Sequence, residues 1–249
     1  MFRLRRRPPV CPNGRIPDGQ RVYAIGDVHG RVDLLNVLLA KIQADVEKLP
    51  AARIQLILLG DLIDRGPDSA AVVERARQLA EASDGVSVLL GNHEEVFLLA
   101  LGGEIPAMRL FARIGGLATL VSYGLSEDQI AAADYNDLIR LAIDAVPREH
   151  LEFMGTFKDL ITIGDYAFVH AGVRPDIPLD RQRTEDLRWI RKDFLDSPGP
   201  FDRIIVHGHT ISENVEERPF RIGVDTGAYV TGKLTALALE GDRRWYLST

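Results

Sequence analysis

Three times in the first hundred residues a short apolar run ends in a glycine-flanked polar cluster and then gives way to a helix-periodic stretch. Arg21 to Ile25 runs into GDVHG, Ile54 to Leu59 into GDLIDRG, and Val86 to Leu90 into GNHEE. After the first cluster, Asp33 to Leu49 repeats Leu34, Leu35, Leu38, Leu39, Ile42 and Val46 on one helical face, and an alanine-rich helix begins near Ser69. Strand, polar tip and helix in succession build a parallel sheet covered by helices. The polar tips then share one sheet edge, where side chains from several strand ends converge and ligands bind.

The second half reads as strand-rich, with a hairpin from Leu160 to Val169 about Gly164 and Asp165. Further short strands follow over Arg203 to Val206, Phe220 to Val224, Leu234 to Leu239 and Arg244 to Leu247. Between the halves, residues 97–159 carry RIGGLATLVSYGL and several apolar-periodic stretches, which predict a helical insertion or cap. At 249 residues and 46% hydrophobic the chain suits one catalytic domain over 21–249, behind a basic tail over 1–20 that is expected to be disordered. The first 21 residues hold six arginines against the single acid Asp18, yet the whole chain carries −6, so the body is acidic. An acidic body excludes a broad phosphate-backbone footprint and with it extended nucleic-acid binding. Prolines follow the arginines where an export signal needs an apolar run, and no 18-residue apolar run exists, so neither export nor a membrane span is expected. One cysteine, Cys11, permits no internal disulfide or thiolate cluster and fits the cytoplasm.

The polar tips carry donor atoms suited to hard and borderline cations. Asp27 and His29 stand two apart, so extended backbone would send both side chains to one face. GDLIDRG adds Asp61, Asp64 and Arg65, and GNHEE adds Asn92 and His93. FVHAG contributes His170 and VHGHT contributes His207 and His209, so five of the six histidines lie at strand ends. Carboxylates, an amide oxygen and imidazoles without thiolate suit two divalent ions, Mn²⁺ first and Fe or Zn²⁺ otherwise. Two such ions about 3.5–4 Å apart can clamp the attacking and leaving oxygens of an in-line displacement at phosphorus.

The ordered set GDVHG, GDLIDRG, GNHEE, FVHAG and GHT resembles the calcineurin-like metallophosphoesterases. Within them it is most similar to the phosphoprotein phosphatase branch, with its bacterial and phage serine/threonine phosphatases and the related symmetrical diadenosine tetraphosphatases. The resemblance implies a sandwich of two mixed β-sheets flanked by helices. It implies one metal on Asp27, His29 and Asp61 and a second on Asp61, Asn92, His170 and His209, with Asp61 bridging. His93 oriented by Asp64 is then the acid that protonates the departing alkoxide, and Arg65, with Arg191 of LRWIRKDF, clamps phosphate. The expected activity is hydrolysis of phosphomonoesters on serine or threonine in proteins. The alternative is diadenosine tetraphosphate or another small phosphorylated nucleotide, the insertion deciding what fits; a non-catalytic phosphoprotein-binding module is the rival of another class. Ile211 stands where many metallophosphoesterases carry a further histidine, which the phosphoprotein phosphatase branch also lacks.

Other polar residues receive plainer readings. His207 reads as packing beside the site, with ligation as the alternative, and His150 as a surface residue. Glu94 and Glu95 read as helix caps. Asp225 and Thr226 read as turn and strand-end residues. Tyr123 and Trp189 either line the cleft or pack the insertion.

Overall fold

In the computed structural model, residues 14–249 are described. The first strand, β1 (Gln20–Ile25), is buried along nearly its whole length because its two faces meet different layers. Val22 and Ala24 enter an apolar core shared with a second sheet, while Tyr23 and Ile25 pack under helices. This double burial explains why the strand reads as a continuous apolar run. Helix α1 (Val32–Lys48) buries Leu35, Leu38 and Ile42 as one stripe and stops at Leu49, whose backbone is extended ahead of Pro50. The pattern recurs through β2 (Arg53–Leu58), α2 (Ser69–Ala82), β3 (Val86–Val88) and α3 (Asn92–Leu101).

The chain then makes helices α4 (Ile105–Ile114), α5 (Leu117–Ser122), α6 (Glu127–Ala132), α7 (Tyr135–Ala145) and α8 (Arg148–Met154). It returns through β4 (Leu160–Ile163), β5 (Tyr166–Val169), α9 (Thr184–Trp189), α10 (Lys192–Leu195) and β6 (Ile204–His207). It ends with β7 (Glu216–Arg218), β8 (Arg221–Gly223), α11 (Ala228–Thr231), β9 (Thr235–Glu240) and β10 (Arg243–Ser248). One five-stranded sheet has the order β10-β9-β1-β2-β3 and the other β4-β5-β6-β8-β7. Each is mixed: β1, β2 and β3 run parallel while β9 is antiparallel to β1, and β5, β6 and β8 run parallel between antiparallel edge strands. Ile57, Leu59, Leu237 and Leu239 of the first sheet meet Phe168, Ile204, Val206 and Ile222 of the second. The outer face of the second sheet is covered by Leu187, Ile190 and Phe194. Each such side chain contributes about 1.5–3 kcal/mol on burial. No helix among the described residues is long and apolar enough to cross a membrane.

The helices between α3 and β4 pack on the same core as the first sheet. Phe111 of α4 stacks on Phe97 of α3 with ring centroids 4.9 Å apart, and Met108, Leu120 and Leu138 join them. His150, expected at the surface, is buried instead: Tyr123 Oη donates to its Nδ1 at 2.9 Å and its Nε2 donates to Glu74 at 3.1 Å. That chain of bonds ties α8 and the end of α5 to α2, so Tyr123 packs rather than lines a cleft. Of the basic tail, residues 1–13 lie outside the described residues. Residues 14–19 are part of the fold, since Ile16 is fully buried and Tyr166 Oη donates to the Gly14 carbonyl at 3.1 Å. Ile16 N–H also donates to the Gly241 carbonyl at 2.8 Å, which joins this segment to the turn between β9 and β10.

Since α4, α5 and α7 share a core with the first sheet, body and insertion should unfold in one transition. Phe111→Ala should cost about 3–5 kcal/mol and lower the midpoint of that transition without splitting it. A separate early transition in calorimetry of the variant would show the helices to be an independent unit.

Candidate metal centre

The six predicted ligands meet where the ends of β1, β2, β5 and β6 come together. Asp27, His29, Asp61, Asn92, His170 and His209 are each at least 94% buried. The backbone that delivers them is not extended. His29, Asp61, Asp64, Arg65 and His209 all have positive φ, between 45° and 73°, so the shared-face argument for Asp27 and His29 does not describe how they meet. β1 has already ended at Ile25, and the left-handed turn at His29 aims its ring. Gly91 makes room for the central carboxylate, because a Cβ there would stand 2.1 Å from Asp61 Oδ1.

Glu94 holds the turn that carries Asp61. Its carboxylate accepts backbone N–H groups from Asp61 at 2.9 Å, Leu62 at 2.7 Å, Ile63 at 3.2 Å and Gly91 at 3.0 Å. The sequence pointed only to the helix cap, which is the Gly91 bond. Burial, followed by repulsion from Asp61, pushes the Glu94 carboxyl up to about 7.

The hydrogen bonds set which ring nitrogens are free. His29 Nδ1 donates to the Ile63 carbonyl at 2.7 Å, and its Nε2 is buried without a partner. His170 Nδ1 donates to the Leu59 carbonyl at 2.8 Å. Its Nε2 then faces Asn92 Oδ1 at 3.1 Å, His209 Nδ1 at 3.1 Å and Asp61 Oδ2 at 3.4 Å. His209 Nε2 is also buried and unpartnered. Asp61 Oδ2 lies 3.6 Å from His29 Nε2, and Asp27 accepts the His209 N–H at 3.0 Å. Crowded lone pairs in a space that excludes water are costly unless a cation satisfies them.

The electrostatics agree. Burial pushes His29 down to about 3 and His209 down to about 2, so both imidazoles are neutral donors. Burial works against charge on His170 too, but Asp61 and Asp27 outweigh it and lift that ring to about 10, so positive charge is favoured at its Nε2. Burial and the neighbouring Asp225 hold Asp27 well above the ordinary carboxylate range, whereas His170 and His93 overcome burial at Asp61 and hold it well below. Two donor clusters fit cations, His29 with Asp61 and His93, and Asp61 with His170 and His209, and Asp61 belongs to both. The donor chemistry suits divalent ions that accept mixed oxygen and nitrogen ligands.

His93, at the edge of the first cluster, is also engaged elsewhere: its Nδ1 donates to Asp64 Oδ2 at 2.5 Å, and Arg65 donates to its Nε2 at 3.0 Å. Burial opposes charge on His93, but Asp61 and Asp64 prevail and hold it above its ordinary range. The Arg65 guanidinium lies over the Tyr229 ring at 4.8 Å, and Tyr229 also meets His29 edge-on. The sequence reading missed Tyr229, although it lies within GVDTGAYVTG. Asp225, read as a turn residue, accepts the Gly227 N–H and is buried near Asp27.

Arg191 is exposed and has no ion pair among the described residues, and its charge helps to lower His209. Trp189 and Arg188 both donate to Glu95, which anchors the segment before Arg191 to α3; Glu95 thus does more than cap. His207 stands apart from the donor clusters, between Gly223 and the Phe194 ring, and burial pushes it down to about 4.

Known proteins share this architecture. The chain is 32% identical over 159 residues to a symmetrical bis(5'-nucleosyl)-tetraphosphatase of Cellvibrio japonicus, covering 64% of this chain and 47% of that protein. It is 25% identical over 238 residues to an asymmetrical bis(5'-nucleosyl)-tetraphosphatase of Anoxybacillus flavithermus, covering 86% and 88% of the two chains. The chain spans less than half the length of the symmetrical tetraphosphatases it matches. A crystal structure provisionally described as a diadenosine tetraphosphatase superposes with a TM-score of 0.62 at 21% identity, over 94% of this chain and 98% of that one. The family model for calcineurin-like phosphoesterases matches residues 20–236. With strands β1 to β8 and every donor of the buried cluster inside that match, the chain belongs to the calcineurin-like phosphoesterase family.

Proposed function

We propose that the protein hydrolyses a dinucleoside polyphosphate, with diadenosine tetraphosphate as the leading substrate, by means of two divalent ions, Mn²⁺ foremost. The observation that carries the hydrolytic reading is the meeting of the donor clusters with the His93–Asp64 pair and Arg65, His93 Nε2 standing 3.9 Å from Asp61 Oδ2. The named relatives support the nucleotide and reverse the order of the sequence expectation, in which a phosphorylated protein came first. The single cysteine and a nucleotide substrate fit a cytoplasmic enzyme.

Asp27, His29 and Asp61 would hold one ion, and Asp61, Asn92, His170 and His209 the other. When bound, such ions supply positive charge to the phosphoryl oxygens and lower the pKa of a water at the site. The remaining work falls to side chains. Arg65 offers a planar guanidinium to two non-bridging oxygens. Arg191, exposed and near enough for its charge to act on His209, would extend that positive surface toward a longer polyphosphate. A phosphate that draws Arg65 to itself frees His93 Nε2, the nitrogen that would deliver a proton to the departing oxygen, while Asp64 keeps Nδ1 protonated. One P–O bridge breaks, the oxygen and one proton of water stay on the attacked phosphorus, the departing nucleotide takes its proton from His93, and the second proton of water restores His93.

Three measurements test this. Chelation should abolish turnover, and Mn²⁺ should restore it better than other divalent ions; full activity in excess chelator would overturn the metal assignment. The kcat/KM for diadenosine tetraphosphate should exceed that for a phosphoserine peptide by about 10²-fold or more, the scale on which positioned polar contacts discriminate substrates. Preference for the peptide would return the protein phosphatase reading to first place. His93→Asn should keep its metals, measured by elemental analysis, and lose about 10²–10⁴-fold in kcat on substrates with poor leaving groups. Loss of metal from this variant would show His93 to be a ligand and not the acid.

A further inference from the structure

Residues 115–124, the GGLATLVSYG stretch, lie in the helical insertion, yet they are bonded to the loop that carries Asp64 and Arg65 and to the start of α2. Arg65 N–H donates to the Gly115 carbonyl at 3.1 Å, and the Ala70 N–H donates to Ser122 Oγ at 3.0 Å. Gly115 has φ +110°, and a Cβ there would stand 2.8 Å from Arg65 Cγ. Between these points Thr119, fully buried, makes two bonds to one residue. Its Oγ1 accepts the Asp64 N–H at 2.9 Å and donates to Asp64 Oδ1 at 2.7 Å.

We infer that Thr119 is a positioning residue for the proton donor: its hydroxyl fixes the Asp64 carboxylate from the side opposite His93, which makes the helical insertion part of the reaction machinery. The inference rests on the reading of His93 as the acid. The physical argument is torsional. A carboxylate turns freely about its last single bond unless both oxygens are held. Here His93 Nδ1 holds Oδ2 at 2.5 Å and Thr119 holds Oδ1 at 2.7 Å, so the plane is locked along the His93 bond. Ser69 Oγ also accepts the Asp64 N–H, at 3.0 Å, so the backbone of the loop is secured without Thr119. Thr119 Oγ1 also lies 3.0 Å from Ser69 Oγ, but its one proton goes to the nearer Asp64 Oδ1, and that bond is what the threonine adds.

The test compares wild type, Thr119→Val, Thr119→Ser and His93→Asn, each as the full chain with Mn²⁺, on p-nitrophenyl phosphate, phenyl phosphate and phosphoserine. Thr119→Val should lose about tenfold in kcat on phenyl phosphate and phosphoserine, at the low end of general-acid effects. It should lose less than about twofold on p-nitrophenyl phosphate, whose leaving group needs little protonation. KM and metal content should hold, and Thr119→Ser should recover wild-type rates. An equal loss on all three substrates, or failure of serine to rescue, would reduce Thr119 to a packing residue and overturn the inference. Should the valine variant not fold, Thr119→Ala must give the same leaving-group dependence. The His93→Asn arm separates the two readings: if its loss is also independent of leaving group, the acid assignment fails and this inference with it. A steep dependence there beside a flat one at Thr119 defeats the inference alone.

Discussion

The turn that follows β2 leaves its sheet with three N–H groups pointing inward, and the Glu94 carboxylate takes up all of them while also capping α3 through Gly91. Hydrogen bonds to a charged acceptor contribute about 1.5–3 kcal/mol each, which is what offsets burying a carboxylate so near Asp61. The consequence is geometric. The end of β2 and the start of α3 become one unit, and that unit presents Asp61, Asn92 and His93 together. Asp61 can then serve both donor clusters because its backbone has no freedom to choose one.

Backbone strain gathers at the same place. Among the described residues, six besides glycine have positive φ, and all but Asp176 belong to the donor clusters or to the Asp64–Arg65 loop. Such conformations cost about 1–3 kcal/mol apiece and persist only where surroundings over-determine them. The surroundings here are the stacked sheets below, with their shared apolar core, and α5 above, whose Thr119 and the preceding Gly115 bond directly to the strained loop. The helical insertion is therefore a structural support of the site as well as its neighbour.

Much of this was legible in the residues themselves. Periodicity decides where apolar side chains can be buried, and glycine-flanked polar tips between a strand and a helix must fall at a sheet edge, so the two-layer α/β architecture and the set of donor types follow from local pattern. That the chain cannot build a cluster of thiolates likewise follows from Cys11 being the only cysteine. Tertiary structure alone decided how those donors are aimed. His29 reaches the cluster through a left-handed turn, which no two-residue spacing encodes. Glu94 reaches across to a loop 31 to 33 residues earlier, and Thr119 to a carboxylate 55 residues earlier, so neither contact has a local signature. His150 looked like a surface residue because its sequence neighbours Arg148 and Glu149 are charged, yet helix rotation turns it inward onto Tyr123 and Glu74. Sequence specifies which atoms can bind a cation or move a proton; only the packing of distant segments fixes each atom's direction, because direction is set by hydrogen bonds between residues that meet when the chain folds.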